Sequence, residues 1–506
     1  MNERLPRTLA GALGALALAV FFLSGLQRLG SPVELGASEG TLLDHAVRFA
    51  AGKPVYGPPS LEFIPLAYMP GMPLLAAPLV AIFGPHYWIG RLLDLIAVAG
   101  LAALFVGIVR RETGSAALGL AGAGVFVMGQ GFTQGCYDMF RPDVIMLLCA
   151  VGGAAVLRAT RGLLGTCFAA LLLGLAFVFK QHGLLFGLAM LPYLFVSDRR
   201  RLLPFALAFA ICAGGLFLLL RATLGPWFVF YAYDVPKHWS QLSRGRIERY
   251  LSFEAFGRFG LMTIPGLLAL GTRPWREPLG LWWWFALGGL ATGGLATLDP
   301  YAFLHTLIPS LCAFALLGPI ALHRLTADFA PERRTAANWA ILGVVGLQFL
   351  ALPYSPRVLQ PPRHAAAPLA SFEKFLSEQK RVLVVFHGYY TWEAGKGTGL
   401  SLLPLDDVIR AKGNGLLHRD PDYFTRLFGT LRRGPDRPVL VTDTTLAEVG
   451  DVSRPYWASI APGYRLDDAM SDRVASLELG MDRKYRPRYV YVPVESDSAA
   501  GAATAR

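Results

Sequence analysis

Charged residues are scarce in this chain of 506 residues: they make up 16% of it, whereas 54% of the residues are hydrophobic. Ordinary soluble domains carry about 25% charged residues, so this composition excludes a chain made of one or two such domains. The apolar residues are concentrated in blocks of about 17–22, a length that crosses a hydrocarbon core as a helix. The blocks stop near Leu352, and the remaining segment has the composition of a soluble domain.

Cysteine is scarce as well, and its distribution argues against a disulfide framework. The five cysteines all lie in or beside apolar blocks, and none follows residue 352. The sequence therefore indicates neither structural disulfides nor a cysteine-based metal site. No internal repeat is visible either.

The net charge of +12 raises the question of a nucleic-acid partner. Most arginines outside the C-terminal region, however, lie in short clusters between apolar blocks, which is how membrane proteins encode their orientation. We therefore predict contact with membrane lipid and no nucleic-acid partner. If Arg4 and Arg7 are inside, spans placed by hydropathy alone also put every later cluster between spans inside.

This agreement predicts about 11 transmembrane helices, a cytoplasmic N-terminus and an extracytoplasmic C-terminus in a bacterial cytoplasmic (inner) membrane. The predicted spans include one at about residues 116–132 and one at residues 163–179. The first apolar block, residues 8–26, is interpreted as an uncleaved first span, because no small-residue cleavage site follows it. Residues 64–83 are long enough to cross, but crossing would move the later arginine clusters outside. That block contains four prolines, Pro65, Pro70, Pro73 and Pro78. We interpret it as a broken helix that lies in the outer interface or re-enters from it.

A proline-rich linker separates the apolar blocks from a region in which strand and helix patterns alternate. Buried-strand patterns lie at residues 381–386, 438–442 and 489–492, and helical stretches lie at 369–379, 420–431 and 455–460. This alternation predicts a small α/β domain.

The predicted organisation is that of a mainly α membrane protein with a small C-terminal α/β extracytoplasmic domain. Residues 1–352 form the transmembrane domain, and its first outer loop, residues 27–87, carries interfacial helices. Residues 353–368 are the linker, residues 369–495 form the α/β domain, and residues 496–506 are a disordered tail. We expect the α/β domain to position an acceptor or partner and to supply none of the chemistry.

Charged and polar side chains gather in four predicted outer loops at one face of the membrane. They are Glu39, Asp44 and Arg48 in the first loop, Asp138, Arg141 and Asp143 in the second, Lys180, Gln181 and His182 in the third, and Asp299, Tyr301 and His305 in the fourth. Polar groups clustered at one face of a membrane bundle are functional candidates by default.

Each of these signals also has a structural explanation. Glu39 precedes a short amphipathic helix that is predicted to end at Gly52, and it could only stabilise the N-terminus of that helix. Asp44 could simply pair with Arg48, four residues later. The arginine and the aspartate of the second loop could form an ion pair at the start of a span, and the lysine of the third loop could only snorkel.

Three stretches within about residues 34–190 resemble a known superfamily. They are Glu39-Gly40 followed by Ala46, Gly52, Tyr56, Tyr68-Met69-Pro70, Phe83-Gly84 and Arg91; then Arg141-Pro142-Asp143; then Phe179-Lys180-Gln181-His182-Gly183. They are similar to the GT-C superfamily of polyprenyl-phosphate-sugar-dependent glycosyltransferases, and within it to the bacterial relatives of protein mannosyltransferases and of the aminoarabinose transferase.

The resemblance implies a transmembrane bundle of GT-C type and an inverting transfer from a polyprenyl-phosphate-linked sugar to a glycan, lipid or protein acceptor. It implies that Glu39 is the catalytic base and that Asp143 is the second-loop acid, which helps to bind acceptor or metal. The aminoarabinose transferase has a lysine for the lipid phosphate where this chain has Tyr68-Met69-Pro70, so the phosphate must find other cations.

A departing phosphate needs positive charge close to it, and topology makes Arg141, Lys180 and His182 the best-placed donors for it. Further candidates are Asp44, Asp138, Tyr68, Gln181 and His305. No cofactor is certain from the sequence, and whether a divalent metal ion takes part stays open.

Three other functions remain alternatives at this point. A lipid or glycan transporter or flippase also has many spans, but such proteins often show repeats and charged residues at mid-membrane. A non-catalytic envelope assembly protein would not require the outer-loop carboxylates. An oligosaccharyl-type transferase would differ only in the size of its donor.

Overall fold

The computed structural model describes residues 4–239, 243–433, 436–480 and 486–494. The predicted disordered tail, residues 496–506, lies outside the described residues. Contacts between Cα atoms divide the chain into two compact units. The first, here called the membrane unit, comprises Met1–Gly30, Tyr68–Pro226 and Trp239–Gln360. The second, here called the α/β unit, comprises Ser31–Ala67, Trp227–His238 and Pro361–Arg506.

The membrane unit is built of apolar helices. Its α-helices are Leu5–Leu29, Gly71–Phe83, Tyr87–Thr113, Ala116–Met128, Asp143–Ala159, Leu163–Phe179, Leu184–Ser197, Arg199–Leu224, Arg244–Arg249, Gly260–Leu268, Leu281–Ala296, Ile308–Ala327 and Pro331–Ala351. A π-helix, Tyr250–Arg258, and short 3-10 turns connect some of them, at Gln181–Gly183, Ala269–Thr272, Pro274–Arg276, Pro278–Gly280, Leu304–Leu307 and Pro356–Leu359.

Six helices in the described part of the chain are long and apolar enough to cross a membrane, and a bent pair, Arg244–Arg258 with Gly260–Thr272, raises the number to seven. A multi-pass membrane protein is therefore supported, but the predicted count of about 11 spans is not confirmed. The predicted spans do contain helices, yet several are short. Ala116–Met128, for example, has 13 residues and is followed by Gly129, whereas the prediction extended to residue 132.

Glycines allow two of these helices to approach closely. A Cβ atom added at Gly14 would lie 2.1 Å from the carbonyl oxygen of Leu120, and one added at Gly124 would lie 2.4 Å from Gly14 Cα. Helices in membranes associate through such small residues, because lipid leaves little hydrophobic drive for association. The contact packs Leu5–Leu29 against Ala116–Met128.

The α/β unit contains a mixed sheet of four strands in the order β1-β2-β4-β3. The strands are β1 (Val382–Val384), β2 (Val439–Thr442), β3 (Tyr464–Leu466) and β4 (Tyr489–Pro493). Strands β1 and β2 are parallel, whereas β4 runs antiparallel to both β2 and β3. The small α/β domain is thus confirmed, including its three predicted strands. Strand β3 was not predicted, because only its first residue is buried and it lacks an apolar run.

The other elements of the α/β unit are short helices, some of them in the two earlier segments of the chain that belong to this unit. They are Ala37–Ala50, Val235–Lys237, Ala366–Glu378, Tyr389–Glu393, Leu402–Arg410, Gly415–Arg419, Tyr423–Arg433, Arg454–Ile460 and Asp468–Val474, with a π-helix at Phe230–Asp234, a 3-10 turn at Ala461–Gly463, and Pro226–Val229 at the border of the two units. Val33, from the first predicted outer loop, is fully buried in the same core cluster as Phe372, Val384 and Val490. The segment Ser31–Ala67 thus belongs to this unit and contributes Val33 to its core.

Candidate functional site

Three charged side chains from two helix junctions meet in the membrane unit. Asp143 is the first residue of Asp143–Ala159, and Lys180 follows the last residue of Leu163–Phe179. Lys180 Nζ donates to Asp143 Oδ1 at 2.5 Å, and Arg141 Nε donates to Asp143 Oδ2 at 3.3 Å. None of the three side chains is more than 7% exposed. The structure therefore brings these three predicted residues together in one buried cluster, here called the cationic trio.

The cationic trio carries two positive charges and one negative charge. Because it is buried, water screens these charges poorly, and their field on a nearby group is stronger than it would be in solution. Breaking a buried ion pair by removing one partner typically destabilises a protein by about 3–5 kcal/mol. A second anion that approached the two cations would restore neutrality, so the arrangement suits an anionic ligand.

Other predicted residues surround the trio. The Tyr68 side chain hydrogen-bonds to Arg141, and His305 interacts electrostatically with all three members of the trio. Gln181 and His182 follow the lysine of the trio directly in a 3-10 turn. The Nδ1 atom of His182 is buried and has no hydrogen-bond partner within the described residues. These four residues therefore belong to the surroundings of the trio.

Asp138, another candidate, is held by a different set of partners. Its Oδ1 atom accepts hydrogen bonds from Arg28 Nη1 at 2.6 Å and from Gln130 Nε2 at 2.5 Å. Arg91 Nη1 donates to the carbonyl oxygen of Arg28 at 3.0 Å. Asp138 thus ties the second predicted loop to the first helix of the membrane unit, which favours a structural role for it.

Asp94 brings a further carboxylate to the trio, and the sequence analysis did not identify it. Its Oδ2 atom accepts the backbone N–H of Arg141 at 3.0 Å, and the residue is fully buried within Tyr87–Thr113. Arg28, Arg91 and Asp94 all lie in apolar blocks. Ionisable residues inside a membrane segment are themselves functional signals, and this signal could have identified all three.

Glu39 belongs to the α/β unit, in the helix Ala37–Ala50. It was expected just before this helix, but it lies in the first turn, because its N–H already bonds to the carbonyl oxygen of Gly36 at 2.9 Å. Its Oε2 atom accepts the N–H of Leu35 at 2.7 Å, and the side chain is fully buried. The N-terminal turn of a helix favours a negative charge.

Asp44 lies about one turn later on the same helix, and the contacts of the described residues include no ion pair between Asp44 and Arg48, the structural explanation considered for it. Arg48 donates instead to the carbonyl oxygen of Pro54 and to Thr398 Oγ1. Burial raises the pKa of Asp44 well above its usual value, an effect that Arg48 opposes and Glu34 reinforces. Burial therefore disfavours the ionised form of Asp44, which is the form that a general base needs.

A histidine that the sequence analysis did not identify stands between two buried carboxylates in the α/β unit. His387 Nδ1 lies 2.8 Å from Glu34 Oε2, and His387 Nε2 lies 3.0 Å from Asp443 Oδ2. Burial opposes the protonation of His387, but Asp443 and Glu34 outweigh it and raise the pKa of His387 to about 10. Protonated histidine donates from both nitrogens, so it can serve both carboxylates at once.

The described residues contain no group of three or more His, Cys, Asp or Glu side chains that could hold a metal ion. Both oxygens of Asp143, the predicted acceptor- or metal-binding acid, already accept from Lys180 and Arg141. The positive charges of Lys180 and Arg141, in hydrogen-bond contact with Asp143, would repel a divalent cation at this carboxylate. The residues around Asp143 therefore do not fit a metal site.

No protein-family model matches the sequence, and no curated protein sequence matches it either. Similar solved structures do exist. The crystal structure of ArnT from Cupriavidus metallidurans bound to undecaprenyl phosphate has a TM-score of 0.58 and 13% sequence identity, over 95% of this chain and 97% of that chain.

The oligosaccharyltransferase of Archaeoglobus fulgidus has a TM-score of 0.53 and 12% identity, over 89% of this chain and 73% of that chain. The archaeal oligosaccharyltransferase AglB from Archaeoglobus fulgidus, in complex with an inhibitory peptide and a dolichol-phosphate, has a TM-score of 0.50 and 11% identity, over 88% of this chain and 71% of that chain. At these identities the likeness concerns the fold alone. The fold of these structures agrees with the architecture that the sequence resemblance implies, a helical membrane unit with a further domain.

Proposed function

We propose that this protein is a membrane glycosyltransferase that takes its sugar from a polyprenyl-phosphate donor. The observation that carries the proposal is the buried cationic trio in a membrane unit. Two solved structures with this fold were determined with undecaprenyl phosphate or dolichol-phosphate, which are lipids with an anionic head group. A lipid phosphate is the anion that a buried pair of cations in a membrane protein is suited to bind.

In the proposed reaction, Arg141 and Lys180 act on the leaving group. As the bond between the anomeric carbon and the phosphate oxygen breaks, its electron pair moves to the phosphate, and negative charge develops there. Fixed cations in a site that excludes water stabilise such charge effectively. Asp143 keeps the two cations aligned through its two oxygens. His182 and Tyr68 supply further polar groups beside them.

Glu39 acts on the acceptor. Its carboxylate takes the proton from an acceptor hydroxyl or amine, and the freed electron pair forms the new bond to the anomeric carbon. Attack opposite the departing phosphate inverts the configuration at that carbon. The buried hydrogen bond from Leu35 holds the carboxylate in one orientation, which general-base catalysis requires. The acceptor is a glycan, a lipid or a protein outside the cytoplasm.

The test is a substitution in the trio. Purified protein is supplied with a panel of undecaprenyl-phosphate-linked hexoses, pentoses and aminosugars and with an envelope extract as acceptor, and the released undecaprenyl phosphate is measured. Wild-type protein should consume at least one donor. Lys180→Met should lower that rate by about 10²–10³, because it removes a fixed charge from the transition state.

Lys53→Met provides the matched control, because Lys53 is exposed and lies outside the trio. It should retain the wild-type rate. Wild-type protein that binds the donor but never releases undecaprenyl phosphate would contradict the proposal and would favour a transporter or flippase. Full activity in Lys180→Met would show that the trio has no part in transfer.

A further inference from the structure

The position of His387 follows from the sheet. Strands β1 and β2 are parallel neighbours, with Val384 paired to Val441. The carboxyl ends of parallel neighbours meet at one edge of a sheet, and His387 follows β1 there as Asp443 follows β2. Their side chains then approach to 3.0 Å, and both are nearly fully buried. The pair is therefore a rigid feature of the sheet edge.

Glu34 joins this pair to the segment that precedes the helix Ala37–Ala50. Its Oε2 atom contacts the histidine, whereas its Oε1 atom accepts the N–H of Gly40 at 3.4 Å. The backbone of Glu34 is held as well: its N–H donates to the Tyr390 hydroxyl at 3.3 Å, and its carbonyl oxygen accepts the N–H of Gly480 at 2.9 Å. Four separate contacts thus hold Glu34 in place.

Two residues tied to Glu34, Leu35 and Gly40, flank Glu39 in the sequence. Leu35, which donates its N–H to Glu39 Oε2 at 2.7 Å, is the next residue after Glu34. Gly40, which donates to Glu34, is the next residue after Glu39. A Cβ atom at Gly40 would lie 3.2 Å from Tyr389 Cβ, so the helix Ala37–Ala50 packs closely against Tyr389 at this point. Movement of Glu34 would therefore move the hydrogen-bond donor of Glu39 and the first turn that carries it.

We propose that His387 and Asp443 are positioning residues, which hold Glu34 and through it orient the carboxylate of Glu39. This inference rests on the proposed function, in which Glu39 is the base. It differs from the expectation that the α/β domain supplies nothing to the chemistry. Errors of about 1 Å in the placement of a reacting group can cost about 10²-fold in rate, so such a support matters for turnover.

The experiment uses the full-length protein with His387→Gln and Asp443→Asn, each of which keeps a hydrogen-bonding side chain but removes a charge. Their matched controls are His418→Gln, at an exposed histidine, and Asp406→Asn, which alters a carboxylate that accepts the N–H groups of Asp451 and Ser453. In His387→Gln and Asp443→Asn, kcat for release of undecaprenyl phosphate should fall about 10–10²-fold. The KM for the donor should stay within about twofold, and both controls should keep the wild-type kcat.

A second readout does not depend on activity. Hydrogen–deuterium exchange should show that the peptide covering residues 34–40 loses protection in His387→Gln and Asp443→Asn but keeps it in the two controls. Unchanged protection in both variants would overturn the positioning link, even if the wild-type protein consumed no donor. If residues 34–40 lose protection in these variants but kcat stays at the wild-type value, the positioning of Glu34 has no effect on catalysis and the proposal is overturned. A wild-type protein that never releases undecaprenyl phosphate would instead contradict the proposed function.

A double variant separates positioning from general loss of structure. If His387 acts only through Glu39, adding His387→Gln to Glu39→Gln should slow release by less than a further twofold, because the group it positions is already disabled. If the double variant instead loses the full rate factor of each single substitution, the proposal is overturned, because His387 must then act by another route.

Discussion

At the scale of single residues, the proposed reaction requires one carboxylate to serve as the base. The first predicted outer loop offers Glu34, Glu39 and Asp44, all of them nearly fully buried. Burial raises the pKa of Glu34, although His387 opposes this shift, and burial raises the pKa of Asp44 well above its usual value. Glu34 is also committed to the histidine. Glu39, whose carboxylate accepts the N–H of Leu35, is the residue that the superfamily resemblance indicates as the base.

Glu39→Gln tests this assignment directly. The amide keeps the size of the side chain and can still accept from Leu35, but it cannot take a proton. The rate of transfer should therefore fall by about 10²–10⁴, while donor binding and thermal stability remain close to wild type. Glu62→Gln is the control, since Glu62 is exposed and belongs to the same unit. A Glu39→Gln variant that turns over at the wild-type rate would mean that the base is elsewhere.

The residue scale also shows where sequence reasoning stops. The members of the cationic trio could be predicted from the sequence, because they lie in loops between apolar blocks. Glu34 was not, because three of its four partners, His387, Tyr390 and Gly480, lie more than 350 positions later in the chain. A histidine after one strand and an aspartate after another indicate a site only once the two strands are known to be parallel neighbours. Pairing of this kind is a tertiary property, and one sequence does not reveal it.

At the scale of helices and strands, hydropathy predicted positions well and lengths less well. The predicted span at residues 163–179 coincides with Leu163–Phe179, because Gly162 and Lys180 mark both of its ends. The broken helix predicted at residues 64–83 is helical only from Gly71, directly after Pro70. Proline removes a backbone donor and disfavours helical geometry in the residue before it, which explains the late start.

The close helix contact at Gly14 leads to a prediction about stability. Gly14→Ala would place a methyl group 2.1 Å from the carbonyl oxygen of Leu120, which belongs to the backbone and cannot rotate away. The two helices must separate, and overpacking of this kind costs about 1–3 kcal/mol. The thermal unfolding temperature of the variant in detergent should therefore fall.

Gly107→Ala is the matched control for this helix contact. Gly107 lies inside Tyr87–Thr113, and a Cβ atom there would meet nothing within 4 Å. Alanine should leave the stability unchanged or raise it by up to about 1 kcal/mol, because it is the better helix former. Equal unfolding temperatures for Gly14→Ala and the wild type would contradict the close approach.

At the scale of the whole molecule, orientation depends on whether the short helices cross the membrane. Ala116–Met128 has 13 residues, which extend over about 20 Å. A hydrocarbon core is about 30 Å thick, so this helix crosses only if the turns that follow it complete the path. If it does not cross, the loop with Arg141 lies on the same side as Arg110 and Arg111. The cationic trio, proposed to bind the donor phosphate, would then face the cytoplasm.

Reporter fusions decide between these two arrangements. Positively charged loops stay in the cytoplasm, so the arginines at positions 110, 111 and 199–201 should be inside, and the loops that carry the trio should be outside. A phosphatase that is active only outside the cytoplasm should therefore be active when joined after Gly135 or after Pro356. It should be inactive when joined after Arg200, where a cytoplasmic fluorescent reporter should give signal instead. Inactive phosphatase at both Gly135 and Pro356 would overturn the predicted orientation, because the loop that carries Arg141 and the segment after the last long helix would then lie in the cytoplasm.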